Sequence, residues 1–597
     1  MPGRFEPIPL KASRTLDGLF RERVRRSPQD TAYLDWDPEA GQWRPWTWEA
    51  MAREAGRWHA ALAAEGLAPG DRVAVMLPNG PAWVAFEQGA LALGLVVVPL
   101  YCQDRPESAA YLLADSGARL LYLAPACWRA LREAGQRLEG VERVVVDGHR
   151  PEGEADPRVV GTEGWLPAQA PAPPGGRTAP EALATIVYTS GTTGPPKGVM
   201  LTHGNILWNA WAALQAVPAY REDRFLSFLP LSHTLERTAG LYLPMTAGAT
   251  VAYARSVAQL AEDLRQVRPT VLIAVPRIFE RVRRRLEEAV EASPARRALL
   301  QAAVAAGWAR FLRAQGRGRW GPRLLAAPLL DALAGRPFRA RLGGRLRVAI
   351  CGGAPLREAE ARLFIGLGLP LLQGYGLTEA SPVVSVNRLE DNDPATVGRP
   401  LEGVEVRLGE QDELLVRSPG VTRGYWNRPE ATAELVDAEG WLHTGDQAAL
   451  EGGRIRITGR IKEIIVLANG EKVPPADLEA AITEDPALEQ ALVVGEGRPY
   501  LAVLLVPDHQ RWREACARLG LDAGRPEDPR AERWALERVA ARLEARPIPG
   551  YARIRRAAVV LEPWTVENGL LTPTLKPKRA RILERHAKRV AALYAGH

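Results

Sequence analysis

Between Thr47 and about Val146, short β-branched runs (DRVAVML, GLVVVPL, VERVVVD) alternate with helix-period stretches such as TWEAMAREAGRWHAALAAEG. Successive parallel strands need long crossovers, which are usually helices, so this alternation predicts an α/β body of helix-covered, mostly parallel sheets. The pattern resumes in ALATIVYTS, DRFLSF, TVLIAV and RLRVAICG, each of which reads as a buried strand. Residues 151–180 are dense in Pro and Gly and are expected to form a surface connection without a regular element. Ala-, Leu- and Arg-rich helices without a strand signal fill about 277–345, a helical insertion. After about residue 400 the period changes to two in EGVEVRL, DELLVRS and GRIRITG, predicting a small antiparallel or β-barrel-like section. From about 461 the order is strand, Asn469-Gly470 hairpin turn, helix, two strands, helix and strand, a small α+β unit. The expected division is a large N-terminal domain at 1–460 and a small, mobile C-terminal domain at 461–597.

Composition narrows the function classes. The chain has 597 residues, 46% hydrophobic and 25% charged, which excludes wholesale disorder and a small disulfide scaffold. Lys plus Arg number 77 against 70 Asp plus Glu, and the resulting +7 is too modest over this length to imply nucleic acid. Cys102, Cys127, Cys351 and Cys516 lie far apart with no CxxC pair, so neither a disulfide framework nor a cysteine zinc site is expected. A reducing cytoplasm fits that usage, and MPGRFEPIPLKAS lacks the apolar stretch of an export signal. The apolar run from Gly89 to Cys102 is interrupted by Gly94 and Pro99 and falls short of the roughly 20 residues that span a bilayer. Peripheral membrane contact stays open, because it needs only a basic or apolar patch. The arginines near 281–320 are interleaved with Glu280, Glu287, Glu288 and Glu291, which predicts solvated, salt-bridged helix faces.

The densest chemical signal is Tyr188-Thr189-Ser190-Gly191-Thr192-Thr193-Gly194-Pro195-Pro196-Lys197-Gly198, a hydroxyl-rich loop expected between a hydrophobic strand and a helix beginning near His203. Glycines let backbone N–H groups converge, hydroxyls donate further hydrogen bonds and Lys197 adds charge, a combination suited to phosphates. A Walker A loop is disfavoured, since Pro196 stands where its second Gly should be and Gly198 replaces the magnesium-binding hydroxyl.

With seven further motifs the chain resembles the adenylate-forming enzymes, which include acyl-CoA synthetases, firefly luciferase and the adenylation domains of peptide synthetases. These are Cys351-Gly-Gly-Ala-Pro355, Gln373-Gly-Tyr-Gly-Leu-Thr-Glu379, Val397-Gly-Arg-Pro400, Trp441-Leu-His-Thr-Gly-Asp446, Thr458-Gly-Arg-Ile-Lys-Glu463 and Thr572-Pro-Thr-Leu-Lys576, with Pro230-Leu-Ser-His233 in the same order. The resemblance implies that a carboxylate, whose oxygen is a poor leaving group, is joined to AMP with loss of pyrophosphate. It further implies that Glu379 with a hydroxyl such as Thr189 holds Mg2+ against the phosphates of ATP, hard oxygen donors being suited to that ion. Outside QGYGLTE, a Thr-Glu pair would ordinarily cap a helix.

By the same resemblance Tyr375 stacks on adenine, with Gln373, Gly374, Gly376 and Thr378 in its motif and the backbone of Gly352, Gly353 and Ala354 at the base's edge. Asp446 accepts the ribose hydroxyls with Arg460 nearby; an isolated Gly-Asp pair would as readily make an Asx turn. His233 lies beside the bound carboxylate, although alone a Ser-His pair at a strand end is more often structural. Lys576 reaches the α-phosphate and carboxylate oxygens, supplying charge where charge develops; Leu575 precedes it where many members have Gly. Coenzyme A then attacks after the small domain pivots at Lys462, with Asn469, Gly470, Glu471 and Lys472 lining the pantetheine path.

PLSHTLER, the 277–345 segment and ENGLLTPTLKPKR resemble the long-chain fatty-acid–CoA ligase branch. A long acyl tail gains about 0.8 kcal/mol per buried methylene, so an apolar channel is expected, with Trp208, Trp211, Leu214 and Leu235 as candidates beside their ordinary role in a core. Two rivals remain: a fatty-acyl-AMP ligase serving a carrier protein, and a non-catalytic nucleotide or acyl binder on the same fold.

Overall fold

The computed structural model describes residues 5–175, 178–189, 195–544, 549–572 and 576–595. Among them, two large sheets form the body. One has seven strands in the order 159–161, 143–146, 118–123, 72–76, 96–99, 183–189 and 197–202, parallel except for its last pair. The other has nine, with a parallel centre (371–376, 348–351, 271–274, 224–227, 250–253, 31–37) and antiparallel edges at 383–386, 399–400 and 42–47. The β-branched runs form the central strands because they are buried on both sides: Val73 and Val75 enter one apolar cluster, Ala74 and Met76 another. The apolar run from Gly89 is the end of helix Pro81–Ala92 followed by strand Val96–Pro99.

The 277–345 stretch contains helices Pro276–Glu291, Pro294–Ala314, Arg323–Leu330 and Arg336–Arg341. Within it Arg283 pairs with Glu287 at 3.6 Å, while Glu280 pairs with Arg357 outside the segment at 3.8 Å and Arg284 reaches out to Glu489 at 3.4 Å. The section read as antiparallel or barrel-like is a four-stranded antiparallel meander of Glu405–Leu408, Glu413–Arg417, Leu442–Glu451 and Arg454–Arg460.

Beyond residue 461 come a short hairpin (465–466 with 472–473) and a three-stranded sheet of Leu488–Val494, Leu501–Pro507 and Ile554–Val559. Leu501, Val503 and Leu505 face one apolar cluster while Ala502, Leu504 and Val506 face another, and all members of both clusters come from 465–594. Helix His509–Leu519 and the terminal helices Arg579–Arg585 and Ala587–Leu593 add to the elements expected from the sequence.

Two expectations are corrected. The Pro-rich stretch 151–180 does contain a strand, Val159–Gly161, which pairs with the edge strand Arg143–Val146 between its proline clusters. The chain after it crosses helix Trp48–Ala64 at Gly56, where a Cβ would lie 2.0 Å from the carbonyl oxygen of Pro171. The segment between the hydroxyl-rich loop and the helix at His203 is the strand Lys197–Thr202, so that loop is the tip of an antiparallel hairpin with Leu183–Thr189. Cys102 and Cys127, distant in sequence, are neighbours, and all four thiols are free.

Candidate functional site

The strands Val348–Cys351 and Leu371–Gly376 run parallel and deliver the two central motifs to one edge of the sheet. Gly352 continues the ladder by donating to Ala274 O at 3.1 Å, and Gly353 then turns at φ +80°, a conformation that favours glycine. Gly353 and Ala354 are exposed in this turn. The side-chain oxygen of Gln373 accepts from Leu356 N at 3.2 Å, so Gln373 braces the turn. Gly374 pairs with Val386, and at Gly376 a Cβ would meet Pro382 O at 1.9 Å, which excludes any larger residue without backbone movement.

Tyr375 and Asp446 are brought together from different sheets. Tyr375 Oη donates to Asp446 Oδ2 at 2.6 Å, and Arg460 Nε donates to Asp446 Oδ1 at 2.7 Å, its strand being in register with that of Asp446. Asp446 is 4% exposed, and burial beside it raises the Tyr375 phenol well above its usual range, so Tyr375 remains a donor. The Asx-turn alternative fails: Thr444 Oγ1 accepts from Asp446 N at 3.1 Å, leaving the carboxylate for its long-range partners.

Glu379 occupies a 3-10 turn, Thr378–Ala380, rather than capping an α-helix. Its Oε1 accepts from Tyr425 Oη at 2.9 Å, and Thr378 and Thr234 share a hydroxyl contact of 3.2 Å. Lys197 Nζ lies 4.9 Å from the centre of the Tyr425 ring, within cation–π range, and Lys197 is in register with Thr189. Tyr425 thus joins the base of the hydroxyl-rich hairpin to Glu379, with Val199 bridging its backbone. Tyr425 was missed by the sequence reading; its only signal is a Gly-Tyr-Trp run between strands, which by itself looks like packing. Ser190, Gly191, Thr192, Thr193 and Gly194 lie outside the described residues, as does Leu575.

A single carboxylate with a neighbouring hydroxyl is a sparse metal-binding set, and among the described residues no cluster of three or more His, Cys, Asp or Glu could hold an ion. That sparseness fits Mg2+, which binds through one or two carboxylates together with substrate phosphates and water.

His233 sits in the turn after strand Arg224–Ser227, where Leu235 N donates to its Nδ1 at 3.1 Å. A neutral ring held this way carries its proton on Nε2. Burial first, then the Lys576 charge, lowers its pKa to about 4, so it is neutral at pH 7. Lys576 arrives from the C-terminal segment, with its N–H donating to Thr572 Oγ1 at 3.0 Å and its carbonyl accepting from Thr572 N at 2.9 Å. Burial and then Arg460 lower its pKa, opposed by Asp446, Glu463 and Glu379. The Lys576 ammonium is thus an electrostatic partner of Arg460, Asp446, Glu379 and His233. Arg105 Nη2 to Glu567 O at 3.1 Å and Arg357 Nη1 to Ala480 O at 3.3 Å join the C-terminal segment to the body.

Lys462 is exposed in the 3-10 turn Ile461–Glu463, immediately after strand Arg454–Arg460. Asn469, Gly470, Glu471 and Lys472 are exposed at the following hairpin, Gly470 at φ +85° and Asn469 Oδ1 accepting from Glu471 N at 3.2 Å. They stand outside the cleft cluster just described. Among the channel candidates, Leu214 is fully buried core, and the ring of Trp208 packs between Gly403 and Gly420, a structural position. Trp211 packs against the same core, while Leu235 lies against Gly352.

Residues 20–426 match the AMP-binding enzyme family, and residues 462–597 match the AMP-binding enzyme C-terminal domain. A long-chain-fatty-acid–CoA ligase, FadD15 of Mycobacterium bovis, is 33% identical over 577 residues, covering 92% of each chain. The peroxisomal long chain acyl-CoA synthetase 7 of Arabidopsis thaliana is 29% identical, covering 94% of this chain and 83% of its own. The adenylation domain of a carboxylate reductase from Mycobacterium chelonae shares the fold, with a TM-score of 0.75 at 24% identity over 97% of this chain and 91% of its own. No helix among the described residues is long and apolar enough to cross a membrane.

Proposed function

This chain belongs to the AMP-binding enzyme family, and we propose that it activates a long-chain fatty acid with ATP to acyl-AMP and pyrophosphate, then transfers the acyl group to coenzyme A. The observation that carries the reading is the convergence of Lys576, from the C-terminal segment, with Asp446, Arg460, Glu379 and His233 of the body. A cation delivered to one carboxylate-lined cleft is what the crowded charge of an acid meeting a nucleotide requires.

In this reading the carboxylate of Asp446 accepts the ribose hydroxyls, Tyr375 covers the adenine, and the turn at Gly352, Gly353 and Ala354 meets its edge. The His233 Nε2 proton and the Lys576 ammonium donate to the oxygens that gain charge as the acyl carboxylate attacks the α-phosphate. Lys197 neutralises the departing pyrophosphate. Glu379 and Thr189 would hold Mg2+, which supplies charge neutralisation on the phosphates when bound. Pyrophosphate loss is followed by rotation at Lys462, at a domain boundary near 460, which brings the hairpin at Asn469, Gly470, Glu471 and Lys472 to the pantetheine arm. The choice of a long-chain acid is supported by the names of the relatives above.

Incubation with ATP, palmitate, coenzyme A and Mg2+ tests the proposal. AMP and palmitoyl-CoA are expected. Accumulated palmitoyl-AMP with no thioester would point to a carrier-protein ligase, and absent pyrophosphate exchange across a panel of acids would point to a binder without catalysis.

A further inference from the structure

Strand Arg72–Met76 lies between strands Ala118–Leu123 and Val96–Pro99, and all three run parallel. Their carboxyl ends therefore open on one edge of the sheet. Cys102 lies in the turn after one neighbour, and Cys127 lies in the first turn of helix Pro125–Glu133 after the other. Topology thus places side by side two thiols that are 25 residues apart. Their side chains share a hydrogen bond, and Cys127 Sγ also approaches Cys102 O at 3.9 Å. A cavity of about 280 Å³ is lined by both cysteines together with Met76, Pro78, Asp104 and Ala124. It gives a small molecule access to Cys127, which is itself only 6% exposed.

The turn carrying Cys102 also touches the segment that bears Lys576. Arg105 Nη2 donates to Glu567 O, and Lys578 is an electrostatic partner of Asp104. A covalent change at Cys102 is therefore two or three residues from the contact that seats the C-terminal segment against the body.

We propose that Cys102 and Cys127 form a dithiol that hydrogen peroxide closes to a reversible disulfide, and that the bond unseats the C-terminal segment and suppresses adenylate formation. The Cys127 thiolate attacks a peroxide oxygen, the O–O bond breaks, and the leaving hydroxide takes a proton to become water. Cys102 sulfur then attacks the Cys127 sulfenic acid, whose hydroxyl departs as a second water with the Cys102 proton. Two thiols are oxidised and one peroxide is reduced. The hydrogen bond from Cys102 favours the thiolate on Cys127, lowering its pKa and raising that of Cys102. Contraction from hydrogen-bond contact to a bond of about 2.05 Å requires movement on the order of 1–2 Å. The loop at 101–105 is the free party, because Cys127 is anchored in a helix.

The link to adenylation rests on the proposed role of Lys576, so the experiment reads the two separately. Reduced full-length protein is treated with hydrogen peroxide, alkylated, digested without reductant and weighed. The expected product joins the Cys102 and Cys127 peptides with loss of two hydrogens, and it is absent from Cys102→Ser and Cys127→Ser. Palmitate-dependent ATP–pyrophosphate exchange should fall by about tenfold to a hundredfold in the cross-linked protein, since small misplacements at a site carry costs of that size. Dithiothreitol should restore it, and Cys127→Ser should show no such reversible loss. Sulfinic acid or unmodified thiols in place of the cross-link would overturn the proposal, as would cross-linked protein that exchanges at the reduced rate. Undiminished exchange in Lys576→Ala would instead remove the role given to that lysine and leave the cross-link standing.

Discussion

Replacing Asp446 by Asn keeps the shape of the group and removes one acceptor and one charge. In the native arrangement Oδ2 accepts from Tyr375 Oη at 2.6 Å and Oδ1 from Arg460 Nε at 2.7 Å. An amide must turn its NH2 toward one of these, and Arg460 has no acceptor to offer, so the NH2 faces Tyr375 Oη, which can accept, and the single remaining oxygen serves Arg460, leaving one acceptor fewer for the ribose. A charge-assisted hydrogen bond is worth about 1.5–3 kcal/mol, but the Arg460 side chain is 45% exposed, so the folding penalty should stay near 1–2 kcal/mol. The catalytic loss is larger in its specificity. One missing ribose acceptor at about 1.5–3 kcal/mol corresponds to roughly a 10- to 150-fold fall in kcat/KM for ATP. The assay is pyrophosphate exchange with ATP, 2′-deoxy-ATP and 3′-deoxy-ATP. The native enzyme should discriminate against each deoxynucleotide, and Asp446→Asn should lose most of that discrimination for at least one. The same fractional loss on all three nucleotides would refute the ribose assignment and leave Asp446 as a brace for Tyr375 and Arg460.

Lys576→Ala should lower palmitoyl-AMP formation by about 10²–10³, the scale for removing a charge aimed at a developing anion, while sparing thiol transfer from supplied palmitoyl-AMP; equal losses in both steps would contradict the assignment. Lys462→Pro should act in reverse, since proline restricts the residue before it and stiffens the turn at 461–463; adenylation persists and thioester formation fails, and normal thioester output would move the pivot elsewhere. Glu236, 1% exposed in the π-helical turn Glu236–Tyr242, has its carboxyl pushed up to about 8 by burial, so it is protonated at pH 7. The folded state then binds a proton more tightly than the unfolded one: its contribution is fully present below pH 4.5 and drains as pH rises toward 8, at no more than about 1.4 kcal/mol per pH unit. Denaturant melts should show the native protein losing stability relative to Glu236→Gln across that window, and parallel curves would exclude a neutral Glu236.

Much of the α/β body was legible because runs such as RVAVM and VVVP are apolar on both sides, a pattern that few alternatives satisfy. The hairpin at Lys197–Thr202 was not, because a glycine- and threonine-rich loop leading toward a capped helix at His203 looks the same whether or not a strand intervenes. Val159–Gly161 was hidden by the prolines around it, although three residues suffice to extend a sheet edge. The site divides in the same way. Glu379, Asp446 and Lys576 announce themselves by chemistry within motifs, whereas Tyr425 and the Cys102–Cys127 contact arise only from chain topology. Trp208 shows the reading of a core side chain made specific, since its ring lies against the flanking glycines Gly403 and Gly420.

The apolar clusters on either side of strand Leu501–Pro507 are filled entirely from 465–594, so the last part of the chain has an interior of its own. Among the described residues, the contacts that join it to the body include those of Arg105, Arg284 and Arg357, each worth about 1 kcal/mol or less where exposed. In the proposed rotation at Lys462, a ligand such as departing pyrophosphate or an arriving thiol would need to prefer one orientation by only a few kcal/mol to reverse the majority.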